Sequence, residues 1–188
     1  MRKIIALLHV SLDGFATNAN GEMNWIKFDE ELFDFVGKLT DNADTALYGR
    51  ITYEMMDAYW PGAADKPNAT KHDIEHSEWY NNVNKVIVSG SMKGTEKNKT
   101  TFIGDNVTEA IKELKQQEGG NILLLGSPSV LRLLTKHNII DEYLLFVNPV
   151  LLGNGIAAYP ENIEMTTLEP VAPTTFNCGV TLLQFTKK

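Results

Sequence analysis

The run Asn121-Ile122-Leu123-Leu124-Leu125-Gly126-Ser127-Pro128-Ser129-Val130-Leu131 sets a short apolar strand directly against a glycine turn and a serine-proline helix start. Four consecutive aliphatic side chains between polar flanks suit a strand covered on both faces. Ser127 and Pro128 read as the N-cap and first helical residue, with Val130, Leu131 and Leu134 on one helical face. The same order recurs upstream, where Thr45 to Tyr48 is an apolar run broken at Gly49, and Arg50 to Trp60 lines up Ile51, Met55, Ala58 and Tyr59. A strand that turns at a glycine straight into a helix is the repeating unit of an α/β sheet.

The flanking chain fits that unit. Ile4 to Leu8, continuing through His9 and Val10, reads as a buried strand, and the polar stretch Ser11 to Asn24 as a long loop. Asp29 is an N-cap, Phe28 and Phe33 form a hydrophobic staple across it, and Leu32, Val36 and Leu39 carry the helix to about Thr40. Pro61 to Thr70 is a loop, Asp73 to Tyr80 a short helix, and Lys85 to Ser89 and Thr101 to Ile103 are strands. Val107, Ile111 and Leu114 mark a helix behind a cap at Asp105 or Asn106, ended by Gly119-Gly120. After the helix that begins at Pro128 only strands remain: Glu142 to Val147, then a Gly153/Gly155 loop, then two segments joined near Asn177 to Gly179. The expectation is one α/β domain over residues 1–188, with a mostly parallel central sheet flanked by helices and an antiparallel C-terminal edge.

At 188 residues, with 43% hydrophobic and 22% charged residues, the chain has the composition of an ordinary globular domain. Seventeen Lys and Arg against 24 Asp and Glu leave a charge of -7, which repels a phosphate backbone and argues against nucleic acid as a partner. No apolar run approaches the roughly 18 residues of a membrane span, and no small-residue cleavage site follows the N-terminal strand, so no membrane association and a cytoplasmic location are expected. The single cysteine, Cys178, reads as a packed strand residue, with no histidine in its segment to make it a nucleophile.

In α/β sheets ligands bind beyond the carboxyl ends of the strands. Ser11 to Trp25, Gly49 to Thr52, Ser89 to Lys93 and Gly126 to Ser129 lie there. Two glycine turns into helix starts, one carrying Arg50 and Thr52 and the other Ser127 and Ser129, supply backbone N–H groups, hydroxyls and a fixed positive charge. That chemistry suits a ligand with several phosphates, such as a dinucleotide. Gly153-Asn154-Gly155-Ile156-Ala157-Ala158 matches a dinucleotide pattern in letters only, because Pro149 precedes it and Tyr159-Pro160 follows it, and a surface loop is the better account. His72 and His76, spaced i, i+4, form half of a zinc site at most, so a solvated charged helix and no metal are expected.

Read together, these segments resemble the dihydrofolate reductase-like family, and within it the stand-alone relatives of the riboflavin-biosynthesis deaminase-reductase C-terminal reductase domain. The residues that carry the resemblance are Ser11-Leu12-Asp13-Gly14-Phe15, Gly21-Glu22-Met23-Asn24-Trp25, Leu47 to Glu54, Val86 to Ser89, Leu125-Gly126-Ser127 and Asn148 to Gly155. The resemblance implies an NADPH-dependent reductase that transfers hydride to a C=N or C=O bond of a small pterin-, pyrimidine- or sugar-linked substrate. It further implies that Gly49, Arg50 and Thr52 hold cofactor phosphates, that Ser89 and Ser91 lie by the adenosine 2'-phosphate, and that Gly126 and Ser127 face the pyrophosphate. Ala6 and the Ser11 to Trp25 loop, with Met23 and Trp25 on the substrate side, border the nicotinamide in this reading, and the loop closes over it. Relatives of this type are commonly homodimers. Folate reductases usually carry a second glycine where this chain has Ser127.

Hydride transfer to C=N needs an accompanying proton, and Asp13 and Glu30 are the carboxyl candidates. Asp13 follows the first strand, whereas the Asp29 and Glu30 carboxylates start a helix whose dipole favours the ionised form. Asp29 is then a cap on the substrate side, and Asp13 either an acid or the side chain that holds its turn. The alternative to an enzyme is a non-catalytic nucleotide or small-molecule binding protein on the same fold.

Overall fold

The centre of the sheet is β1 (Ile4–Ser11), whose side chains are apolar on both faces and therefore need cover on both. In the computed structural model, which describes residues 1–159, 161 and 163–188, that cover is supplied by helices. The order is β1, β2 (Phe15–Thr17), α1 (Glu30–Asp41), β3 (Ala43–Gly49), α2 (Arg50–Tyr59), α3 (Lys71–Asn82), β4 (Asn84–Val88), β5 (Thr100–Ile103), α4 (Val107–Gln116), β6 (Asn121–Leu125), α5 (Pro128–Lys136) and β7 (Glu142–Asn148). Three short strands, β8 (Ile156–Ala157), β9 (Leu168–Pro170) and β10 (Thr174–Thr175), and the longer β11 (Thr181–Lys187) complete the chain.

The main sheet runs β10-β11-β7-β1-β6-β3-β4-β5, with β9 pairing on β11. Pairs from β7 to β5 are parallel, and β11 turns antiparallel on β7. The fold is thus α/β with a mostly parallel sheet and an antiparallel C-terminal edge. Alternation along the strands divides the core. Ile4, Ala6, Leu8 and Val10 of β1 pack with Ile122 and Leu124 under α4 and α5 through Ile111, Val130 and Leu131. Ile5 and Leu7 pack with Leu123, Leu144 and Phe146 under α1 and α3 through Leu32, Val36 and Tyr80. Among the described residues no helix is long and apolar enough to cross a membrane.

Local differences from the sequence expectation have simple causes. The stretch Ser11 to Asn24 is not all loop: β1 reaches Ser11, and β2 pairs antiparallel with β8. That pairing also takes Ile156 and Ala157 out of the expected surface loop. The third helix is longer than Asp73 to Tyr80, because Thr70 and Asp73 form a capping box that starts it at Lys71. Part of the expected Pro61 to Thr70 loop is a 3-10 turn, Trp60–Asp65. Asn106, one of the two expected caps of α4, precedes the helix with left-handed backbone and makes no side-chain cap bond. His72 and His76 do not sit on a solvated face. His72 stacks on Phe33 with ring centroids 3.8 Å apart, and His76 is buried against Trp60 at 4.1 Å. Burial holds the His76 imidazole down to about 3, helped by its neighbour His72. Cys178 is in the turn before β11 rather than in a strand.

Candidate active site

Because β1, β3, β4, β5, β6 and β7 run parallel, their carboxyl ends converge on one edge of the sheet. β6 stops at Leu125, which pairs with Leu7, and the Gly126 amide donates to the Leu7 carbonyl at 2.9 Å. β1 continues four residues further, to Ser11, whereas β3 ends at Gly49, and the step this leaves at the carboxyl edge beyond Gly126 is the candidate cleft.

On one side of that cleft two helix starts meet. The Gly49 amide donates to the Ser127 hydroxyl at 2.7 Å, joining the turn before α2 to the turn before α5. Neither helix has a side-chain cap at its N-terminus. The expected N-cap role of Ser127 is therefore corrected: its Oγ is spent on the neighbouring turn. A Cβ at Gly49 would meet Val130 Cγ2 at 3.2 Å and Ser129 Oγ at 3.4 Å, and one at Gly126 would meet Thr52 Cγ2 at 3.5 Å. Gly49, Thr52, Gly126 and Ser127 thus share one site, with uncapped backbone donors and positive helix ends beside them. Ser127 has φ 56°, the left-handed backbone that glycine adopts without strain.

Arg50 starts α2 at the same place, and its Nη1 bonds both oxygens of Glu54, at 2.8 and 3.1 Å. The pair is exposed and of the i, i+4 kind, worth only about 0.3–0.5 kcal/mol, so it orients the guanidinium more than it holds it. Further along the edge the hydroxyls of Ser89 and Ser91 are 3.2 Å apart, and Ser89 also accepts from the Met92 amide. Ala6, 2% exposed, packs in the core one residue before Leu7, whose carbonyl accepts from the Gly126 amide.

The other side of the cleft is built from two laced segments. Leu12 donates its amide to Val150, and the Asp13 carboxylate accepts from the amides of Leu152 and Gly153, the latter at 2.7 Å. The Ser11 hydroxyl and those two amides hold the Asp13 carboxyl down to about 2. The Asp29 oxygens accept from the Leu32 and Cys178 amides, which keep it below the usual carboxylate range. Glu30 is exposed in the first turn of α1 and Met23 is partly exposed, while Trp25 donates its indole N–H to the Glu22 carbonyl.

Two residues beside this cleft are not among the site residues that the sequence suggests. His9, near the end of β1, stacks on Phe146 at 4.9 Å and meets Phe28 edge-on at 5.5 Å. Asn148, fully buried at the end of β7, bonds the ring at Nδ1. Their partners are distant in sequence, which is why spacing did not reveal them.

A cavity of about 440 Å³ lies at the opposite, amino edge of the sheet, among Arg2, Asp44, Lys85, Lys97 and Lys99. Its cations are largely engaged already, Arg2 by Asp44 and Lys97 by Asp57, so the carboxyl edge is the stronger candidate. Among the described residues no group of three or more His, Cys, Asp or Glu could hold a metal ion.

Comparisons with known proteins agree with this fold. The chain is 32% identical over 183 residues to the uncharacterized protein YyaP of Bacillus subtilis, covering 95% of this chain and 92% of that one. A putative riboflavin biosynthesis protein from Shewanella superposes with a TM-score of 0.76 at 18% identity, covering 99% of both chains. The diaminohydroxyphosphoribosylaminopyrimidine deaminase/5-amino-6-(5-phosphoribosylamino)uracil reductase of Thermotoga maritima superposes at 0.70 with 14% identity, and this chain spans 57% of it. The sequence profile of the RibD C-terminal domain matches residues 2–182, and the chain belongs to that family.

Proposed function

We propose that the protein is an NADPH-dependent reductase of a small heterocyclic substrate. The observation that carries this reading is the meeting of two uncapped helix starts at the Gly49–Ser127 hydrogen bond, on the carboxyl edge of a parallel sheet. The residues present fit a dinucleotide. Gly49 keeps the turn clear of side chain, the starts of α2 and α5 offer N–H groups to a pyrophosphate, and Arg50 offers a charged donor that the Glu54 pair leaves partly free. Ser89 and Ser91 provide hydroxyls for a second phosphate along the same edge. NADPH bound there would supply the hydride.

The chain's own residues orient and enclose. Asp13 acts as a clasp between the β1–β2 and β7–β8 connections, because its three donors stabilise the ionised form and oppose proton donation at neutral pH. Asp29 is likewise committed as a cap. Glu30 is exposed at the start of α1, where the helix dipole favours its ionised form, so the proton that accompanies the hydride then comes from water. Calorimetric titration with NADPH and NADH, followed by cofactor oxidation with pterin and pyrimidine substrates, tests this reading. Binding of NADPH with turnover is the expected result, binding without turnover would leave a binding protein, and absence of binding would sink the reading.

A further inference from the structure

His9 is held in one orientation by groups from two distant segments of the chain, Lys27–Phe28 and Phe146–Asn148. The Asn148 Oδ1 accepts the Lys27 amide at 2.9 Å, which fixes the side-chain amide so that its NH₂ faces inward. That NH₂ contacts the Phe146 carbonyl at 3.1 Å, the Val10 carbonyl at 3.4 Å and His9 Nδ1 at 3.3 Å. A donor facing Nδ1 makes Nδ1 the acceptor, so the single proton of a neutral imidazole lies on Nε2. Burial lowers the imidazole to about 4, so the ring is neutral at physiological pH. Nε2 has no hydrogen-bond partner among the described residues, yet the ring is partly exposed rather than sealed.

The place of this donor matters. His9 lies on the part of β1 that extends beyond β6, flanking the cleft above Gly126. Phe28 is 52% exposed, stacks on Phe33 at 5.4 Å and meets the imidazole at 68°, so an exposed aromatic ring lies beside His9. An aromatic ring beside a single fixed donor selects a flat ring that carries an acceptor oxygen or nitrogen at its edge. A neutral imidazole is a poor proton source, since loss of its remaining proton would create an imidazolate. Its role is to hold and polarise an acceptor, not to protonate it.

We infer that His9 is a substrate-binding residue that donates from Nε2 to a carbonyl or ring nitrogen of a planar heterocycle lodged against Phe28. The inference rests on the proposed reductase reading for the identity of the cleft, but not for the state of the ring. Nitrogen-15 NMR of histidine-labelled protein reads the tautomer directly, and a fluorescence titration with lumazine, a flat pteridine with two carbonyls, reads the binding. The expected results are an unprotonated Nδ1, a shift of the Nε2 signal on adding lumazine, and at least tenfold weaker lumazine binding in His9→Phe. His9→Gln, which keeps an N–H donor, should recover part of that loss and controls for packing against Phe146. A proton on Nδ1, lumazine that does not bind, or equal affinity in wild type and His9→Phe would overturn the assignment. NADPH calorimetry on the same samples separates the two readings: loss of NADPH binding counts against the reductase, and an unresponsive His9 in a protein that binds NADPH counts against this inference alone.

Discussion

The Gly49 amide and the Ser127 hydroxyl, 78 residues apart in sequence, share a buried 2.7 Å hydrogen bond that ties together the two helix starts at the carboxyl edge. Ser127 makes this bond from a left-handed backbone, φ 56°, that glycine adopts without strain. The conformational cost of a side chain there is offset by a hydroxyl that satisfies a buried amide.

That relationship gives a paired prediction. Ser127→Ala keeps the strained backbone and leaves the Gly49 amide unpaired, so urea denaturation should register a loss of about 1–3 kcal/mol. Ser127→Gly loses the same bond but relieves the left-handed strain, so it should be more stable than the alanine variant by about 1 kcal/mol. Equal stabilities would mean that the backbone at Ser127 carries no strain.

Gly155 has φ 150°, and a Cβ there would lie 2.0 Å from the Thr17 carbonyl oxygen, a backbone atom. Gly155→Ala must therefore push β8 away from β2. The expected outcome is a folded core with the β2–β8 pairing lost, seen as faster amide exchange at Thr17 and Ala158 and faster proteolysis near residue 155. Unchanged exchange at those amides would show that the two connections separate without cost.

Arg50→Ala tests where the guanidinium acts. If it meets the 2'-phosphate, NADPH affinity should fall by about 1.5–3 kcal/mol while NADH affinity is little changed. Equal losses would move Arg50 to the pyrophosphate, and no loss would remove it from the site. Stability should change little in either case, because the Arg50–Glu54 pair is exposed.

The strand-glycine-helix units at Gly49 and Gly126 were legible because apolar runs, turn residues and helical spacing are local signals. So was the Asp29 cap with its Phe28–Phe33 staple, whose rings stack at 5.4 Å. What the sequence hid depends on long-range register. The Ser127 hydroxyl reads as a cap until α2 is seen beside it, and His9 reads as one more strand residue until Asn148 and Phe146 are brought alongside by the β1–β7 pairing. The β2–β8 pair was missed for the same reason, since each strand is only two or three residues long and neither has a pattern by itself.

Asp13 offers the sharpest test of what a carboxylate at this edge does. Its pKa, held down to about 2 by the Ser11 hydroxyl and the Gly153 and Leu152 amides, lies below the ordinary value of 3.8. A depressed carboxylate contributes stability that is fully present above the unfolded value, near 3.8, and is lost as pH falls towards 2. Asp13→Asn should therefore be less stable than wild type at neutral pH, and the gap should narrow as pH falls through that window. If Asp13 is a clasp, the variant should also keep the wild-type pH profile of single-turnover hydride transfer between about pH 5 and 9, with any loss of rate uniform across it. A profile whose alkaline limb disappears in Asp13→Asn, with stability unchanged from pH 2 to 7, would instead make Asp13 the proton donor.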